Sequence, residues 1–222
     1  MLILISCKSE FAEKHYQEAV RYEAQENYTK AIEELDKTIN LNPRFEQAYL
    51  DRGIDKSIIG DFEGAIEDMT SLIRIRPNTV EPYVWRSEYK RNLKMFEEAL
   101  SDIDTAFINK PGIIKRNDEV VAAAEPNYSN PYIENENLDL ELEYLFFERG
   151  VSLVCLGKYE EAMNELDYVV SKNLNDKDTR YYRGVALLNL GYREEACQDL
   201  KIASKAGDIY SEELMQRHCV TK

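Results

Sequence analysis

Apolar residues recur along this chain at helical spacing, in runs separated by short polar breaks. Ala12, Tyr16, Ala19 and Tyr22 share one face and predict a helix over about 10–25, which Glu26 and Asn27 interrupt. Tyr28 opens a second helix with Ala31, Leu35, Thr38 and Ile39 on its inner face, and Asn42-Pro43 ends it. Proline lacks an N–H and pushes its predecessor out of the α region, so a helix stops there. The pattern then restarts, with Ala48, Tyr49, Gly53 and Lys56 on a first helix, a turn at Gly60-Asp61 and a second helix over 62–75. A third unit spans 80–111, with Trp85 on its first helix and Pro82 in a first turn, where proline is tolerated.

These units are in register. Thirty-four residues before Phe62, Ala65, Met69 and Pro77 stand Tyr28, Ala31, Leu35 and Pro43; thirty-four after stand Phe96, Ala99, Ile103 and Pro111. A constant period of helix pairs predicts an array in which each unit buries its apolar face on its neighbour.

The residues resemble the tetratricopeptide repeat, or TPR, a 34-residue pair of antiparallel helices. Its pattern places small residues at repeat positions 8 and 20, where the paired helices approach closely. Position 8 is Ala19, Gly53, Ser87, Gly150 and Gly184, and position 20 is Ala31, Ala65, Ala99, Ala162 and Ala196. Departures from the pattern are Glu18 at an apolar position, Arg193 at an aromatic one and Leu174 at the last-turn proline. The resemblance implies an all-α fold, a TPR-type right-handed α-solenoid of antiparallel helix pairs with a C-terminal capping helix. Repeats 1–3 would occupy 9–111, an insertion 112–137, repeats 4–5 138–206, and the capping helix and tail 207–222.

Within the insertion the period fails. A short helix is expected over 112–124, whereas 125–137, with Pro126, Pro131 and several asparagines, has turn chemistry. After the fifth repeat Asp208 can cap a last helix over 209–219, with Glu212 and Glu213 near its positive end.

Charge narrows the partners. The net charge is −14, from 42 acidic against 28 basic residues, which argues against binding nucleic acid or adsorbing to anionic lipid. No apolar run is long enough to cross a bilayer. The first eight residues differ in character from the repeats: Met1 to Ile5 are apolar, and Leu4-Ile5-Ser6-Cys7 resembles a bacterial lipobox, in which the cysteine is acylated. A basic leader segment is missing and the apolar part is short for a signal peptide. On this reading Cys7 is a lipidation site, residues 1–8 are a tether, and a lipid anchor is the only membrane attachment. The run from Ala196 to Cys219 also resembles the end of bacterial exported TPR proteins, so an extracytoplasmic location is expected, with the cytoplasm as the alternative.

A helix hairpin turning near residue 208 brings Cys197 opposite Cys219, at heights where a disulfide or two buried thiols would fit. The four cysteines form no CxxC motif, and no metal or cofactor is expected. A turn near repeat position 15 also sets position 7 opposite position 23. The resulting pairs are Arg52/Asp68, Arg86/Asp102, Arg149/Glu165 and Arg183/Asp199. Charge pairs that recur at every period are structural. The first repeat, with Glu18 and Glu34, breaks this series, and His15 reads as a packed residue. Neither a phosphate loop, a nucleophile elbow nor a paired-histidine zinc motif occurs, so no enzymatic activity is expected.

The TPR resemblance implies a non-catalytic scaffold that binds a peptide or helix on the concave face formed by the first helix of each pair. Carried onto this chain, that face comprises Tyr16, Val20, Leu50, Ile54, Val84, Glu88, Phe147, Val151, Val154, Tyr181, Val185 and Leu188. Chaperone tails are excluded, because Tyr16, Val20, Asp51, Glu81 and Trp85 stand where a carboxylate clamp needs Lys, Asn and Arg. A structural protein that self-associates through the apolar face, or a ligand-binding or enzymatic role contributed by the insertion at 112–137, are the alternatives.

Overall fold

Because each helix has one apolar face too narrow to be stable alone, the helices form in pairs. The computed structural model describes residues 2–110, 113–116, 119–122, 138–172 and 177–219. They divide into two compact units, Met1–Pro111 and Gly112–Lys222. In the first unit α1 (Leu2–Glu23) pairs with α2 (Tyr28–Leu41), α3 (Glu46–Ile58) with α4 (Phe62–Ile75), and α5 (Glu81–Asn92) with α6 (Phe96–Asn109). The second unit holds a β-hairpin, β1 (Ile113–Arg116) and β2 (Glu119–Ala122), followed by five helices. Of these, α7 (Leu138–Cys155) pairs with α8 (Tyr159–Ser171) and α9 (Lys177–Leu190) with α10 (Arg193–Lys205), while α11 (Ile209–His218) packs on α10 as the terminal cap.

Two expectations need correction. Within the segment 112–124, residues 113–116 and 119–122 form antiparallel strands, with Ile114 opposite Val121, in place of a short helix. Ile113, Ile114, Val120 and Val121 explain this, since β-branched residues prefer an extended backbone. The first helix begins at Leu2 and not near residue 10, so the backbone at Cys7 is helical and continuous with repeat 1. The turn-rich stretch 125–137 lies outside the described residues, as does Leu174.

Close packing at small residues holds each pair together. Ala19, Ala31, Ala65, Ser87, Ala99, Ala162 and Ala196 are wholly inaccessible to solvent. At Gly53 a Cβ would stand 2.5 Å from Met69 Cε, and at Gly184 one would stand 2.9 Å from Leu200 Cγ, so even alanine would press on the opposing helix. The turn inside each pair needs a left-handed residue at repeat position 15. Gly60, Gly157 and Gly191 supply it, whereas Glu26 and Lys94 adopt φ of 56° and 60° at some cost in strain. Asp61 and Asp208 cap α4 and α11, accepting from the backbone N–H of Gly64 at 3.0 Å and of Ser211 at 2.6 Å.

A ladder of ion pairs runs through the same inter-helix seams. Arg52 grips the buried carboxylate of Asp68, which also accepts from Lys56 at 2.9 Å, and reaches back to Asp36 at 2.5 Å. Arg86 repeats this with Asp102 at 2.6 and 2.9 Å and with Thr70 at 3.0 Å, while Lys90 reaches Asp102 at 2.7 Å. In the second unit Arg149 bonds Glu165 at 2.5 Å, and Arg183 lies 3.3 Å from Asp199 and 2.7 Å from Asp167.

As expected, Glu18 and Glu34 do not pair, but another side chain of the first repeat reaches the acid. His15 stands 2.6 Å from Glu34, with Lys37 on the other carboxylate oxygen at 2.6 Å. Burial pushes Glu34 up, but the bonds from Lys37 and His15 outweigh it and hold the carboxyl below its usual range. Repeat 5 uses the same position as a second source of charge, with Arg180 bonding Asp199 at 2.6 Å. His15 is therefore a ladder partner and not simply a packed ring.

Cys197 and Cys219 are joined in a disulfide with Cα atoms 5.7 Å apart, which fixes the end of α11 to α10. Arg193 Nε adds a hydrogen bond to the carbonyl oxygen of His218.

Ala65→Leu should cost ~1–3 kcal/mol through overpacking; an unaltered melting temperature would contradict the repeat register. Arg86→Met, which leaves Asp102 with Lys90 alone, should cost about 1–3 kcal/mol in urea unfolding. Arg217→Met, in the exposed pair with Glu213, should change stability by less than ~1 kcal/mol. Equal losses in the two variants would show that burial does not set the strength of the ladder. Peptide mapping without reductant should recover Cys197 linked to Cys219, and reduction should destabilise the C-terminal unit by ~3 kcal/mol. Free thiols at both positions in unreduced protein would refute the bond.

Candidate functional site

The odd-numbered helices α1, α3 and α5 of the first unit, and α7 and α9 of the second, carry every residue placed on the expected binding face. Their exposure is uneven. Val20 is 38% accessible, and Tyr16, Leu50, Ile54, Glu88, Phe147, Tyr181, Val185 and Leu188 are half-buried. Val84, Val151 and Val154 are only 6%, 2% and 8% accessible, so they belong to the packed interior more than to a surface that a partner touches.

In the first unit aromatic and acidic side chains alternate on this face. Tyr16 packs against Phe45 with centroids 4.9 Å apart, and its hydroxyl donates to Asp51 Oδ2 at 2.9 Å. Burial, and then that acceptor, push the Tyr16 phenol well above its ordinary range. One turn along, Asp55 is 3% accessible and its Oδ2 has no hydrogen-bond partner. Glu23, across from it on α1, likewise has a buried and unpartnered Oε1. Burial first, and then repulsion from Glu23 and Asp51, raise Asp55 to about 7; burial and Asp51 raise Glu23. The equivalent position one repeat later is Tyr89, which stacks on Trp85 at 6.2 Å, lies beside the Ser57 hydroxyl and is pushed up to about 12 by burial. Where repeat 3 sets a ring and a hydroxyl together, repeat 2 sets two carboxylates.

The second unit is aromatic on this face. Phe147 meets Tyr182 edge-on at 6.2 Å, Tyr182 meets Tyr181 at 5.1 Å, and Tyr181 lies 6.2 Å from Tyr210 of the capping helix. Burial, and then Asp208 and other neighbours, raise the Tyr181 phenol. Cys155, at the end of α7, is exposed and lies outside the disulfide.

The sequence reading named Asp51 only at a clamp position, and missed Glu23 and Asp55 as members of the first face and Tyr182 and Tyr210 as members of the second. Asp51 and Tyr182 occupy the same repeat position, next to one already assigned to the face. That neighbouring position was the available signal. Among the described residues no group of three His, Cys, Asp or Glu side chains is arranged to hold a metal ion.

Antiparallel helix pairs at a 34-residue period, with small residues at their crossing and a terminal cap, define the TPR fold. Solved structures with this architecture include MamA 41-end from Desulfovibrio magneticus RS-1, with TM-score 0.68 and 11% identity over 87% of this chain and 93% of that one. Another is YrrB, described as a TPR protein with an unusual peptide-binding site, with TM-score 0.64 and 16% identity over 91% and 90% of the two chains. A third is PilW, described as a widely conserved type IV pilus biogenesis factor, with TM-score 0.64 and 15% identity over 87% and 76%. At these identities the likeness is one of fold. No protein-family model matches the chain, and no curated protein matches it either.

A buried carboxyl with a raised pKa makes stability depend on pH with a definite sign. Between about pH 4 and 7 the folded protein keeps the Asp55 proton that the unfolded chain, ionising near 3.9, has released. Stability from this group is therefore greatest below about pH 4 and declines as pH rises to about 7. Asp55→Asn should stabilise the protein by ~1–3 kcal/mol at pH 8 and by little at pH 4. Urea unfolding of both proteins at the two pH values checks this, and an equal difference at both would refute it.

Proposed function

We propose that this chain is a non-catalytic protein–protein interaction scaffold, whose odd-numbered helices receive a peptide or a helix from a partner. The observation carrying this reading is that Leu50, Ile54, Phe147, Tyr181, Val185 and Leu188 remain half-exposed beside well-packed helix seams. Half-covered apolar and aromatic side chains grouped on one set of helices are what interaction sites offer. The peptide-binding site named for YrrB, on the same fold, supports the assignment.

We also place the chain outside the cytoplasm. The Cys197–Cys219 disulfide supports this, since such bonds persist in oxidising compartments. The PilW likeness is compatible with it, and Cys7 is the proposed site of a lipid anchor. Mass spectrometry of Cys7 in protein taken from native membranes tests the anchor, and an unmodified cysteine would rule it out.

Leu50→Asp and Leu188→Asp test the two faces better than Val151→Asp, because Val151 is buried and its replacement would report on folding. Each variant should recover specific partners from the native host at least ~tenfold less than wild type, with unchanged circular dichroism. Recovery equal to wild type would clear these faces of the role.

A further inference from the structure

The acidic corner between α1 and α3 gives the partner a chemical requirement. Among the described residues Asp51 uses neutral partners, accepting from Tyr16 at 2.9 Å and from Gln47 at 2.8 Å. Asp55 lies almost wholly buried beside it with Oδ2 unpartnered, and Glu23 Oε1 is buried and unpartnered opposite. The charges acting on Asp55 are Glu23 and Asp51, both of its own sign. Elsewhere in the unit the buried carboxylates Asp68 and Asp102 each hold two cationic side chains. Burying a carboxylate without a partner is costly, so the bare oxygens of Asp55 and Glu23, near Asp51, mark a place where a positive charge is missing.

We propose that the half-exposed Glu23 and Asp51, backed by the buried carboxyl of Asp55, receive a basic side chain, arginine or lysine, from the segment that occupies this face. The inference rests on the scaffold reading and adds the chemistry of one contact. Val20, one turn before Glu23 and 38% accessible, and Ile54, beside Asp55, offer apolar surface for the methylene stem of such a side chain. The carboxylates supply the acceptors that its head requires. A bound cation favours the ionised form of Asp55, so binding releases a proton near neutral pH.

The test uses the full chain, with N-acetyl-arginine-N-methylamide as probe and its uncharged citrulline counterpart as control. The side-chain carboxyl carbons of Glu23, Asp51 and Asp55 are followed by nuclear magnetic resonance at pH 7. The arginine probe should shift these signals saturably at millimolar concentration, at least ~tenfold more tightly than the control. The apparent pKa of Asp55 should fall, and Asp55→Asn with Glu23→Gln should abolish the response. No saturable shift, equal shifts with both probes, or a response kept by the double variant would each overturn the proposal. Those outcomes leave the scaffold reading intact, because it is decided separately by partner recovery with Leu50→Asp and Leu188→Asp.

Discussion

The structure depends on how closely two helices of a pair can approach. Wherever they cross, one helix presents Ala, Gly or Ser and the other presents Ala, and these contacts exclude solvent completely in both units. Their separation sets the reach of everything else. At this distance Met69, Leu166 and Leu200 fill the space over the opposing glycine, and an arginine from one helix can grip a carboxylate on the next. A larger residue at the crossing would disturb packing and charge pairing together, because both use the same seam.

Carboxylates have two fates in this acidic chain, and their neighbours decide which. Asp68, Asp102 and Asp199 are buried in seams where Arg and Lys converge, so their desolvation is offset and their role is structural. Asp55 is as deeply buried, yet it faces Glu23 and Asp51 in place of a cation. Net charge alone does not distinguish these cases. The location of each carboxylate relative to the seam does.

Much of the fold was legible in the sequence because its determinants are local and periodic. Ala31, Ala65 and Ala99 announce the crossing points at equal intervals, and the Arg/Asp pairs follow once the turn is placed. The His15–Glu34 pair was hidden because the side chain that meets the acid moved from one repeat position to another on the same helix face; Arg180 shows the same shift. The strands at 113–116 and 119–122 were readable from paired Ile and Val residues, but helical context on both sides favoured a helix. Depth was the least legible property. Val84, Val151 and Val154 share spacing with half-exposed neighbours, and only the packing of adjacent helices shows that they are covered.

Arg52 and Arg86 each bond a carboxylate within their own repeat and also reach the helix before it, to Asp36 and Thr70. A chain of stacked pairs can in principle lose its end pairs one at a time, since each touches only its neighbours. These double-ended arginines oppose that fraying, because releasing one pair costs the next a bond between repeats. Pulled from either end, the N-terminal unit should therefore yield in one large step, more like a clasp than a zip.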